Sequence, residues 1–349
     1  MSTYAWTRCL LRISLFSLLL WAGRAAAADP CVALAQQQSD AQVATRLAAV
    51  ACDEYLRWNR PFIDQNGRMA SASVYEAEGS GLKDGGAPWR RVAFYWYSSG
   101  LLGQLAFKSG ASDCTYAAMS AAYPGLGCRG FVIDNPWSAA FISWAEQRAG
   151  VPGFTSSASH FDYVRAAFKD SGKNPYRYAD LLTTSLSMGD LVCYARSAQV
   201  FGSAGVLKVL QDRKNTGLPM HCDVVVGVHD GMAYAIGGNV QQAVTMRLLP
   251  VNAQQRLWGL PQRTNADPVC SPEMPEICSF NRQDWVAVLK LKSQAELAAI
   301  GPVTPPGSLL QPPTAPTCCI NCVLGSGVPR CPAEGTLPPP TQSPMQGTD

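Results

Sequence analysis

Three histidines serve the whole 349-residue chain, and only 15% of its residues are charged. Before residue 300 there is no His-Glu-x-x-His and no paired Cys-x-x-Cys, so nothing in spacing supports a zinc centre, even one built from His160, His221 and a carboxylate. No glycine-rich phosphate loop and no basic, aromatic-interleaved stretch is present, which leaves neither a nucleotide nor a nucleic acid as an expected partner. No cofactor or metal is expected. There is no internal repeat, and beyond the first thirty residues no apolar run reaches the roughly 20 residues of a membrane span.

The first twenty-eight residues account for much of the apparent basicity. Arg8 and Arg12 flank an apolar run from Ile13 to Trp21, and Ala25 to Ala28 supply small residues for cleavage. This predicts a secretory signal peptide over 1–28 and a working place in the periplasm or outside the cell. The segment carries Arg8, Arg12 and Arg24 and no acid, so its removal takes 28 basic residues to 25, against 25 acidic, and the net charge from +3 to zero. Cys9 leaves as well, and thirteen cysteines become twelve. An even, high count in an exported chain predicts disulfides. Local pairing suggests Cys31 with Cys52, Cys114 with Cys128, and Cys270 with Cys278. Cys193 and Cys222, on strands expected to be neighbours, read as a disulfide or buried thiols.

Residues 301–349 hold twelve of the 25 prolines and little apolar periodicity, the composition of an extended, disordered tail. Cys318, Cys319, Cys322 and Cys331 within it read as small disulfide loops rather than zinc ligands. Between the ends, residues 29–88 are expected to form a helical extension, with one helix over 31–58. Residues 89–300 are expected to form an α+β domain. Helices are predicted from Trp89, over 114–122, from Pro136 to Ala149 capped by Asn135 and ended by Gly150, and over 159–169. Strands follow at Leu191–Tyr194, His221–Val228, Met232–Ile236, Val244–Leu249 and Trp285–Leu291.

Three phrases carry more than composition: Pro136-Trp137-Ser138-Ala139-Ala140-Phe141-Ile142-Ser143-Trp144, Gly189-Asp190-Leu191-Val192-Cys193, and His221-Cys222-Asp223-Val224-Val225. In order and spacing they resemble the papain-like amidases and peptidases of bacterial envelopes, the NlpC-type and CHAP families, and most nearly the bacterial domain of unknown function 2272, over roughly residues 90–292. The resemblance implies helices packed on an antiparallel sheet and hydrolysis of an amide or peptide bond, with peptidoglycan peptides as the substrate class. It puts Ser138 where papain-like enzymes carry a nucleophilic cysteine, His221 in the place of the general base, and Asn239 or Asp223 as the group that orients it. Asp223 shares a strand face with His221 by alternation. Trp137 and His160 are expected to contact substrate, while Asp190 reads as a turn former and His229 as a solvated turn residue. A hydroxyl is harder to deprotonate than a thiol, so Ser138 needs an aligned base during attack. The competing expectation is a catalytically inactive module that binds cell wall or a protein partner in the same cleft.

Overall fold

The structure, a computed structural model, describes residues 29–305 apart from 121, 213 and 216. The predicted signal peptide and nearly all of the proline-rich tail lie outside the described residues. Among those described, ten α-helices accompany one eight-stranded sheet, an α+β architecture.

The chain opens with α1 (Cys31–Leu34) and α2 (Val43–Arg57) rather than one helix over 31–58. The break falls on Gln36-Gln37-Gln38-Ser39-Asp40, which offers no apolar side chain to bury. There Asp40 Oδ1 accepts from the Gln42 N–H (2.7 Å), a local turn that competes with the helix. α2 is buried along most of its length and shares one core with Phe141 and Val224. Two short strands follow, β1 (Phe62–Ile63) and β2 (Met69–Ala70). A helical layer then runs through α3 (Pro88–Ser98), α4 (Leu101–Gln104), α5 (Ala111–Met119) and α6 (Leu126–Asp134).

α7 spans Ser138–Ala149, two residues shorter at its start than expected. Asn135 is not its cap. It closes α6 instead, donating through Nδ2 to the Phe131 carbonyl (2.8 Å), and Trp137 occupies the N-cap position. Gly150 ends α7 as expected, at φ 67°, with its N–H and that of Val151 on the Gln147 and Glu146 carbonyls. Ten of the twelve α7 side chains are buried, so this is an interior helix packed against α2, α3 and the sheet.

After α8 (His160–Lys169) come β3 (Tyr176–Ala179), β4 (Leu191–Ala195), α9 (Gly202–Gln211), β5 (Met220–His229), β6 (Met232–Val240), β7 (Ala243–Pro250), β8 (Asp284–Leu291) and α10 (Gln294–Ile300). The sheet order is β2-β1-β7-β6-β5-β4-β8-β3, antiparallel except where β1 runs parallel to β7. One face of the central strands (Leu191, Cys193, Cys222, Val224, Ile236) packs on the helices. The other (Val192, Tyr194, Val225, Ala235) packs with Trp285 and Val288 in a smaller core beneath Leu186 and Leu257.

Four disulfides lock this arrangement: Cys31–Cys52, Cys114–Cys128, Cys193–Cys222 and Cys270–Cys278. The first ties α1 to α2, the second α5 to α6, and the third joins directly paired residues of β4 and β5. No helix among the described residues is long and apolar enough to cross a membrane. Asp190, expected only to form a turn, is buried. It accepts from Ser187 N–H (2.8 Å), Leu291 N–H (3.0 Å) and Lys290 Nζ (2.8 Å), and so fastens the start of β4 to β8.

Candidate active site

Ser138 is the first residue of α7, where backbone N–H groups have no intrahelical partner and the helix dipole is positive. The first α7 N–H to find a carbonyl one turn back is that of Phe141, on Trp137 O (2.9 Å). Ser138 Oγ and His160 Nε2 are hydrogen-bonded at 2.9 Å, both side chains being buried. His160 is itself the first residue of α8. Two helix N-termini therefore converge on a cleft of ≈ 360 Å³ lined by Ser138, Ala139, His160, Arg196, Leu218 and Met220, among others.

His221 does not take up the Ser138 hydroxyl. Its Nε2 pairs with Asp223 Oδ1 (2.7 Å), two residues along the same face of β5, and its ring lies 5.2 Å from that of His160, centroid to centroid. Asp223 Oδ2 accepts from Arg247 Nε (3.1 Å) on β7, and Arg247 Nη2 donates to Tyr194 Oη (3.2 Å) on β4. The same guanidinium also reaches Phe280 O (2.6 Å) and Asn281 Oδ1 (3.4 Å). The buried ion pair thus has hydrogen bonds on both sides, the condition under which two charges are tolerated in an interior.

The titration of these groups follows from that burial. Burial, then the neighbouring His221 and Arg196, hold His160 well below the usual histidine range. Burial lowers His221 too, against the opposing pull of Asp223. For Asp223 burial acts upward, but His221 and Arg247 outweigh it and keep the carboxyl below its ordinary value. At neutral pH the set is two neutral imidazoles in front of an ionised Asp223–Arg247 pair. His160 Nδ1 and His221 Nδ1 are both buried without a hydrogen-bond partner.

Asn239 and Trp137 take other parts than those expected of them. Asn239 sits at φ 55° where β6 leaves its register with β7. Its amide is oriented by its neighbours: the nitrogen donates to Glu76 Oε2 (3.2 Å) and the oxygen accepts from Trp137 N–H (3.1 Å). Asn239 therefore anchors the start of α7, and the hydrogen bond that orients His221 goes to Asp223 instead. Trp137 is fully buried, stacked on Trp58 at 5.6 Å with its Nε1 on Glu76 Oε2 (2.6 Å), and does not line the cleft.

The adjacent glycines explain how β6 can pass so close. A Cβ on Gly237 would overlap Asp223 Oδ1 and come within 2.8 Å of His221 Nε2. One on Gly238 would meet Phe141 Cγ at 2.6 Å and Trp137 Cζ3 at 2.8 Å. Consecutive strand residues serve opposite faces, so one glycine admits the His221–Asp223 pair and the other admits α7. His229 stands in its turn as expected, bonded to Asp230 (2.9 Å) and stacked on Tyr234 at the far end of β5.

Of the expected residues, the structure brings together Ser138, His160, His221 and Asp223, and leaves out Trp137 and Asn239. Arg247, Tyr194 and Glu76 were not anticipated. The signal available for Arg247 was a lone cation inside the largely apolar Val244–Leu249 run. Among the described residues no cluster of three or more His, Cys, Asp or Glu is placed to hold a metal.

Residues 83–291 match the model of a family described as "Uncharacterized protein conserved in bacteria (DUF2272)". No curated protein and no solved structure matches the chain.

Proposed function

The chain belongs to the DUF2272 family, and within that frame we propose that it is an exported hydrolase of the cell envelope that opens an amide or peptide bond through Ser138, with peptidoglycan peptides as the substrate. The observation that carries this reading is the Ser138 Oγ–His160 Nε2 hydrogen bond of 2.9 Å at the floor of a cleft, a nucleophile and a neutral base already in reach.

In the attack, Ser138 Oγ bonds to the scissile carbonyl carbon while His160 Nε2 takes the hydroxyl proton. The developing oxyanion lies against the free N–H groups of the first turn of α7. His160 returns the proton to the leaving amine; water, deprotonated by the same ring, then attacks the acyl carbon, and the ring passes that proton to Ser138 Oγ as the carboxylic product leaves. For His160 Nε2 to accept a proton, its Nδ1 must carry one. His221, whose Nε2–H is given to Asp223, has a bare Nδ1. The two unpartnered nitrogens are thus complementary, one a donor and one an acceptor, on rings 5.2 Å apart centroid to centroid. The His221–Asp223 pair behind His160 favours the imidazolium that forms there, while Arg247 holds Asp223 in place.

Export is supported by the four disulfides, which require an oxidising compartment, and by the tripartite composition of residues 1–28. In such a compartment a free catalytic thiol is exposed to oxidation, and serine is not. The test is to incubate the mature protein with purified peptidoglycan and analyse released muropeptides by mass spectrometry. New termini are expected with wild type and none with Ser138→Ala or His160→Ala. Wall binding without cleavage, unchanged in both variants, refutes the enzyme and leaves the binding module.

A further inference from the structure

The cleft above Ser138 is one-sided in charge. No Asp or Glu lines it, and its walls are otherwise apolar or neutral: Pro136, Ala158, Leu218 and Met220 among them. The N-termini of α7 and α8 both open there, and neither carries a side-chain cap. The acid in the first turn of α8, Asp162, does not line the cleft and accepts from Ser157 Oγ (2.6 Å).

Arg196 stands at the rim. It follows β4 directly, and its backbone N–H on Pro219 O (2.8 Å) fixes the residue beside the cleft wall. Its side chain is exposed, and its guanidinium makes no hydrogen bond or ion pair with any described residue. Arg46, Arg91 and Arg247, by contrast, are each engaged by carbonyls or carboxylates. A planar cation with its hydrogen-bond donors free, lining the same cleft as Ser138 where no acid does, suits a carboxylate, which it can grip with two parallel bonds.

We infer that Arg196 is the specificity residue of the site and that the substrate carries a free carboxylate close to the bond that Ser138 attacks. The scissile part of this statement rests on the hydrolase reading above. The recognition of the carboxylate does not, and it can be measured separately.

Two isosteric probes decide it: the p-nitroanilides of N-acetyl-glutamate and N-acetyl-glutamine, which differ only in carboxylate against carboxamide. With the full mature chain, kcat/KM for the glutamate probe is expected to exceed that for the glutamine probe by about tenfold, the scale of a hydrogen bond to a charged group. The ratio should shrink with added sodium chloride. It should fall to about one in Arg196→Gln, invert in Arg196→Glu and survive in part in Arg196→Lys. The same probes bound to Ser138→Ala, followed by NMR titration, give the ratio without chemistry. Equal turnover of both probes by wild type, or a preference that survives Arg196→Gln, overturns the inference and leaves hydrolysis standing. If neither probe is cleaved but the bound glutamate probe tracks Arg196, recognition stands and the hydrolase reading is decided by the peptidoglycan digestion alone. Equal binding of both probes to Ser138→Ala overturns the inference as well.

Discussion

Glu146 on α7 is fully buried, and burial raises its carboxyl to about 8, against the downward pull of the Tyr176 hydroxyl. Geometry independently favours the neutral acid. Tyr176 Oη lies 2.5 Å from Glu146 Oε1 and 3.2 Å from the Gly189 carbonyl oxygen. The hydroxyl has one proton for these two neighbours and the carbonyl can only accept. A protonated Glu146 therefore completes the chain by donating to Tyr176, which donates to Gly189. Its other oxygen, Oε2, is buried without a partner, the wrong setting for an anion.

The sign of the linkage follows. The folded carboxyl, at about 8, holds its proton above the unfolded value of 4.5, so the fold is favoured below pH 4.5 and loses stability as pH rises through 8. At about 1.4 kcal/mol for each pH unit in that window, the loss is on the order of 3–5 kcal/mol. Glu146→Gln keeps the shape and a donor for Tyr176 but cannot ionise. Urea unfolding of wild type and variant with disulfides intact, from pH 5 to 8.5, should give similar stabilities at the acid end. At the alkaline end the variant should be more stable by several kcal/mol, with unchanged m-values. Groups common to both proteins cancel in the difference. Parallel profiles, or a variant less stable at every pH, would refute the reasoning.

Two further outcomes follow from the site. Gly237→Ala drives a methyl into Asp223 and His221. It should lower stability by about 1–3 kcal/mol in thermal unfolding and depress turnover further than that loss explains, because the imidazole behind His160 is displaced; wild-type turnover in a folded variant would contradict this. His160, held well below the usual histidine range by burial and its neighbours, should remain a working base to below pH 6.5. The acid limb of kcat/KM should then have its midpoint below 6.5, and a midpoint at or above that value would speak against His160 as the base. The same shift makes the fold lose stability as pH falls below 6.5, where the unfolded chain takes up the proton first.

Much of the frame was legible in the sequence because local chemistry decided it. The β-branched runs around 191–195, 220–229 and 284–291 became strands within a residue or two, and Gly150 ended α7. The three local cysteine pairs formed as expected, and Cys193 met Cys222 because their strands are neighbours in register. The short strands β1, β2 and β3 escaped notice, being two to four residues long and held by tertiary pairing alone. α10 does carry a local signal, the capping box of Ser293 and Glu296.

At the site, residue types were legible and partnerships were not. Alternation along β5 put Asp223 beside His221. Which histidine reaches Ser138 depends on where α8 packs, and no local pattern encodes that. A family order led to His221, whereas packing set His160 on the hydroxyl. Asn239, at positive φ after two close-packed glycines, turns its amide to Glu76 and the start of α7, away from β5.

The pairing of Ser138 with His160 is the central claim, and chemical labelling tests it most directly. A fluorophosphonate reacts with a serine hydroxyl only when a neighbouring base activates it. Peptide mapping of the mature protein after exposure should find a single adduct, on Ser138, in wild type and none in folded His160→Ala. An unlabelled wild type, or a His160→Ala protein that labels at the wild-type rate, would contradict the account.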